Sequence, residues 1–178
     1  MIDPAAIIRP FEGHHPDIHP EAWIGPGAVV IGKVSIGKDS NIWPNCVIRG
    51  DVQTITIGEA TNIQDGTVIH VTRDTGPTRI GSGITVGHQA ILHACTLEDD
   101  CFVGMHATVM DDAVVHTGGM LAAGALLTPG KQVEKHQLWA GSPAKFFRDM
   151  TQAEIDWISG SAAHYVKLAK RHENPKNS

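Results

Sequence analysis

Long apolar runs are missing from this chain: none approaches the roughly 20 residues needed to span a bilayer, so no membrane partner is expected. Runs of like charge are missing too, and the formal charge is −5 with a pI near 6.1, which excludes an electrostatic binder of nucleic acid. Cysteine is scarce. Cys46, Cys95 and Cys101 form an odd set without CxxC spacing, which fits free thiols in a reducing cytoplasm better than a disulfide framework. The opening MIDPAAIIRPFEGHH has no basic segment leading into an apolar one, so no signal peptide is expected. Tyrosine occurs once, against 11 histidines and 19 glycines. A chain of 178 residues suits one domain with a real core.

The glycines sit among aliphatic residues at regular intervals. Ile24, Val30, Ile36, Ile42 and Ile48 recur every six positions. The pattern resumes at Ile57, Ile63 and Ile69, and again at Ile80, Val86 and Leu92. It continues through Leu97, Val103, Val109, Val115, Leu121 and Leu127. Four places after most of these stands a small or β-branched residue, such as Ala28, Cys46, Thr67, Ala90 or Ala107. A six-residue step drifts around an α-helix, and a sandwich strand requires period two without a fixed six. Three short strands per 18-residue coil satisfy it. The fold expected is an all-β solenoid, a parallel β-helix of hexapeptide repeats.

Residues 21–133 form this solenoid in the sequence reading, after an irregular N-terminal arm over 1–20. Residues 134–178 supply a connector, a C-terminal α-helix over about 151–171 and a frayed tail, HENPKNS. Thr151-Gln152-Ala153-Glu154 has the pattern of a capping box opening that helix. Ile155, Ile158, Ala162, Tyr165, Val166 and Leu168 give it an apolar stripe to lay on the solenoid, with Gly160 as a potential break.

Register decides what the histidines can do. His70 and His88 lie 18 residues apart, which suggests stacking. However, the step from Ile69 to Ile80 is eleven, so VTRDTGPTR holds an insertion that bulges as a loop. Counted through that loop, Val30, Ile48, Ile69, Leu92, Val109 and Leu127 share a column, and Arg49, His70 and His93 follow its members on successive coils. With neighbouring strands about 4.8 Å apart, His70 and His93 can converge on one ion. His88 belongs to another column, above Asp65, and points around the corner. A symmetric oligomer lets one subunit bring His70 and His93 and its neighbour His88, and the same map sets Asp65 opposite a neighbour's Arg49. Read singly, each of these residues also fits a surface or turn position. His14, His15, His19, His106, His116, His136, His164 and His172 lack stacked partners. Cys95 is expected inside the coil.

The stretches IWPNCVIRGD, IGEATNIQDGTVIHV, ITVGHQAILHACTL, VGMHATVMDDAVV and WAGSPAKFFRDMT resemble the γ-class carbonic anhydrase family of hexapeptide proteins, over roughly residues 20–168. The resemblance implies a left-handed β-helix, a homotrimer with sites shared between subunits, and reversible hydration of CO2 to bicarbonate by a metal hydroxide. It maps the three metal ligands onto His70, His88 and His93, and the interface pair onto Arg49 and Asp65. Asp51 and Gln64 take active-site positions. Tyr165 corresponds to a helix tyrosine that approaches the site in the shorter bacterial subgroup. The implied cofactor is Zn2+, although three imidazoles also suit Fe2+ or Co2+. Two departures bear on proton export. Val52 stands where better-known members carry glutamate, and VTRDTGPTR offers only Asp74 in place of an acidic loop. Two other readings stay open: an acyl-CoA thioesterase or hexapeptide acyltransferase, and a metal-stabilised assembly protein.

Overall fold

Each inward aliphatic residue finds its counterpart one coil away, and three such ladders make the core. The first runs through Ile24, Ile42, Ile63, Val86, Val103 and Leu121. The second is Val30, Ile48, Ile69, Leu92, Val109 and Leu127, the column counted from the sequence. The third is Ile36, Ile57, Ile80, Leu97, Val115 and Val133. All these pairings are parallel, and every one of these side chains is buried. Each contributes roughly 1.5–3 kcal/mol by burial, so the ladders dominate stability. The computed structural model, which describes residues 1–173, is thus a parallel β-solenoid of about seven coils with one C-terminal helix.

Departures from the six-residue step become local features. The step from Ile48 to Ile57 is nine, and the strand Val47–Ile57 takes up the surplus where the ladder shifts register opposite Gly32 and Val34. Val52 in this surplus packs against the core. The insertion after Ile69 forms a loop closed by a bridge between Thr72 and Gly76, as the spacing required.

Residues 1–20 are not the irregular arm expected. Ile7–Arg9 pairs with Val29–Ile31, Asp17–Ile18 pairs with Ser35–Ile36, and Ile2 bridges to Ile24. Ile2 and Ile8 keep the six-residue step, but ten residues separate Ile8 from Ile18, which hides this coil in the sequence. The segment after Val133 is likewise more than a connector. Gln137–Gly141 continues the first face beside Met120–Leu121, and Ala144–Asp149 returns antiparallel to it.

The helix covers Gln152–Glu173 without a break at Gly160. Its capping box forms: the Thr151 hydroxyl accepts from the Glu154 amide at 3.3 Å, and the Thr151 amide donates to Glu154 at 2.9 Å. At 22 residues it is about 33 Å long, matching about seven coils of 4.8 Å. Its stripe packs at both ends of the first face. Ile158 meets Leu138 and Met150, while Ala169, Leu168 and Tyr165 meet Trp23 and Trp43. His172 and Glu173 belong to the helix rather than to a frayed tail, and residues 174–178 lie outside the described residues. No described helix is long and apolar enough to cross a membrane.

Candidate metal centre

His70 and His93 are ladder partners on adjacent coils of the second face. Ile69 and Leu92 point inward, so alternation turns both imidazoles outward. Nδ1 of His70 lies 3.3 Å from Nε2 of His93. The outer nitrogens are both engaged: His70 Nε2 with Asp51 Oδ1 at 3.0 Å, and His93 Nδ1 with Asp111 Oδ1 at 2.7 Å.

These outer bonds fix the inner chemistry. Burial acts to raise the Asp51 carboxyl, but hydrogen bonds from Arg49, His70 and the Val52 amide outweigh it and lower its pKa to about 2. Asp111 is held below the usual carboxylate range in the same way, with hydrogen bonds from Thr72 and His93 outweighing burial. Both groups are therefore anions at neutral pH and can only accept. Each imidazole in its neutral form then donates its N–H to its aspartate, which turns two lone pairs toward each other. Facing lone pairs at hydrogen-bond distance repel unless a metal ion, or a proton on one of the rings, lies between them. Two nitrogens bound at 2.0–2.1 Å to a tetrahedral ion stand about 3.3–3.4 Å apart. The dyad fits such an ion.

His88 stands apart, as the register required. Val86 pairs with Ile63, and this ladder brings His88 Nδ1 to Asp65 Oδ2 at 2.9 Å, leaving Nε2 for a ligand. The preceding Gly87 lets the corner stack tightly, since a Cβ there would lie 2.6 Å from the Met105 backbone nitrogen. Gln64 is buried beside this corner, its amide donating to Asn62 Oδ1 at 3.1 Å. Tyr165 joins the group from the helix, packing edge-on against Trp43 at 5.5 Å. Burial and the Asp65 charge push its phenol pKa up, against a hydrogen bond with Gln64. The candidate residues therefore divide into two sets: His70, His93, Arg49 and Asp51, and His88, Asp65, Gln64 and Tyr165. Among the described residues, no three potential ligands of one chain surround a common point. Within the chain, Arg49 pairs with Asp51 and Asp65 with His88.

All three histidines thus carry a carboxylate on one ring nitrogen and leave the other available, an arrangement that suits a metal-bound imidazole. The pairing alone does not mark a ligand, because His116 makes it with Glu98 at 3.1 Å on another face. The His70–His93 dyad differs in that two ring nitrogens converge. Counting does not single out Asp111: the coil from Leu92 to Val109 is 17 residues, so Met110 holds the position of His93 and Asp111 lies one place beyond it. Cys95 is buried as expected, and burial pushes its thiol, like that of Cys46, up to about 12, so neither is a ready nucleophile or ligand.

Residues 15–50 match the bacterial transferase hexapeptide (six repeats) model. Over 169 residues the chain is 48% identical to γ-carbonic anhydrase 2, mitochondrial, of Arabidopsis thaliana, covering 91% of this chain. It is 40% identical to protein YrdA of Escherichia coli K12 over 90% of this chain and 91% of that protein. The chain belongs to the γ-class carbonic anhydrase family. It spans 61% of the length of the Arabidopsis relative. Among family-like solved structures, a hexapeptide transferase family protein from Anaplasma phagocytophilum superposes with a TM-score of 0.89 at 50% identity, over 92% of this chain and 96% of that one.

Proposed function

We propose that this protein is a metal-dependent carbonic anhydrase, interconverting CO2 and bicarbonate at sites shared between the subunits of a homotrimer. The observation that carries this is the His70–His93 dyad, whose facing nitrogens are 3.3 Å apart with each outer nitrogen on an aspartate. His88, on a different corner with its own carboxylate, supplies the third imidazole from the neighbouring chain. Zn2+ suits such a set, and Fe2+ and Co2+ are the competing ions. When bound, an ion on three imidazoles with an open position supplies a water that ionises near pH 7.

The rest is the work of the chain's own residues. Asp51 and Asp111 hold the two ligating rings. Asn62 and the Tyr165 phenol fix the Gln64 amide in one orientation beside the site. Arg49 clamps Asp51 within the chain and reaches the neighbour's Asp65 across the interface. Tyr165 borders the same pocket from the helix. Val52 packs inward, so that position carries no proton, and export falls to Asp74 on the loop or to buffer.

An outward apolar ladder supports the assembly. Ile7, Val29, Val47, Val68, Ile91, Thr108 and Leu126 line up along the second face, two residues before the ligand positions on their coils. Val68 and Ile91 are 39% and 46% exposed in the isolated chain. Such a stripe asks for cover, and a cyclic trimer covers it while bringing His88 to the dyad. Unpaired buried thiols fit a cytoplasmic protein.

The test is metal analysis of the purified protein together with stopped-flow CO2 hydration. We expect about one ion per chain, hydration lost on chelation and restored by Zn2+ or Co2+, and turnover rising with buffer concentration. Metal at full occupancy with hydration at background would send the reading to thioester chemistry or to an assembly role.

A further inference from the structure

We propose that the loop between His70 and Ile80 braces the metal centre, and that Thr72 and Asp111 are positioning residues for His93. The inference rests on the metal reading above. The loop is where the chain departs from its repeat, and both of its feet reach a ligand. Thr78 Oγ1 donates to the backbone carbonyl of His70 at 2.6 Å. The Thr72 hydroxyl donates to Asp111 Oδ2, across 39 residues of sequence, and Asp111 Oδ1 accepts a hydrogen bond from His93 Nδ1 at 2.7 Å. The tip is tied as well: Gln53 Nε2 donates to the Asp74 carbonyl at 3.0 Å, two residues from Asp51. Gly76 seats the loop, because a Cβ there would meet Ala94 Cβ and Thr72 Cβ at 2.8 Å, directly beside His93.

The chemistry gives this arrangement a purpose. A half-exposed aspartate with one partner can rotate and leave its histidine free to change tautomer. With Thr72 on Oδ2, the carboxylate is held from both sides and Oδ1 stays on His93 Nδ1. The His93 proton is then confined to Nδ1, and its Nε2 lone pair faces His70. The Glu98–His116 pair repeats the carboxylate–imidazole contact away from this loop, and it serves as an internal control.

The experiment compares Asp111→Ala, Asp111→Asn, Thr72→Val, Thr72→Ser and Glu98→Gln with the unaltered full chain. Zn2+ affinity is read by competition with a chromogenic chelator, and the His93 tautomer by 15N NMR of the metal-free protein. Asp111→Ala is expected to weaken Zn2+ binding about 10–100-fold and to release His93 into a mixture of tautomers. Asp111→Asn, which keeps an acceptor, falls between. Thr72→Val weakens binding several-fold, Thr72→Ser restores it, and Glu98→Gln leaves both readouts unchanged. Unaltered affinity and tautomer in Asp111→Ala and Thr72→Val overturn the brace, as does an equal loss in Glu98→Gln. If the unaltered protein binds no Zn2+, the metal reading fails by itself, and the tautomer readout still decides the brace.

Discussion

His106 stands at a solenoid corner in the left-handed region, with φ of 59°. The same corner is taken by Gly66 and Gly124 on other coils, with φ of 71° and 68°. Its backbone amide donates to the His88 carbonyl at 2.9 Å, so the conformation is imposed by coil stacking rather than by the side chain. His106→Gly is therefore expected to stabilise the fold by about 0.5–1 kcal/mol, the relief of the left-handed penalty outweighing the added freedom of the unfolded chain. Urea unfolding measures this, and a destabilised variant would show that the ring packs usefully. At this scale the sequence was uneven in what it revealed. That His70 and His93 stack follows from counting, because each sits one place after a buried aliphatic. Which ring nitrogen faces inward does not, because it depends on Asp51 and Asp111 reaching those rings from neighbouring positions, and period alone carries no side-chain reach.

Elements were legible where the repeat was unbroken. Spacing alone gives two ladders of six and one of five, to which the structure adds Val133, and it makes the surplus after Ile69 a loop. The first coil was not, because four extra residues between Ile8 and Ile18 interrupt the step. The antiparallel return over Ala144–Asp149 follows no hexapeptide rule, so spacing leaves it within a connector. The helix was announced by its cap, and that cap sets two expectations. Thr151→Ala should cost about 1 kcal/mol in unfolding experiments, with the helix and its contacts to Leu138 and Trp43 retained. Glu154 adds a pH dependence. Arg148 and then Thr151 hold its carboxyl down to about 2. A depressed folded-state pKa stabilises above the ordinary carboxylate value and is lost as pH falls through the folded one. The stability difference between the protein and Glu154→Gln should therefore be full above about pH 4.5 and fade toward pH 2. A difference constant across that window would mean that Glu154 caps by shape rather than by charge.

For the whole molecule, the central observation is that the His70–His93 dyad and His88 stand on different faces of the solenoid. The coil corner separates His88 from the dyad, and the awkward five-residue interval between His88 and His93 has a simple cause: the two residues serve different faces. On this account a single chain folds without owning a complete site, and activity belongs to the interface. Fold alone does not carry that conclusion, since hexapeptide solenoids host several chemistries. The most direct measurement mixes His70→Ala and His88→Ala subunits, each inactive alone, and follows CO2 hydration after subunit exchange. A shared interface needs an intact dyad from one chain and an intact His88 from the next. Equal mixing in a cyclic trimer therefore restores about a quarter of the sites. We predict recovery near that fraction of the unaltered activity. No recovery, with mixed trimers demonstrated by mass, would contradict the account.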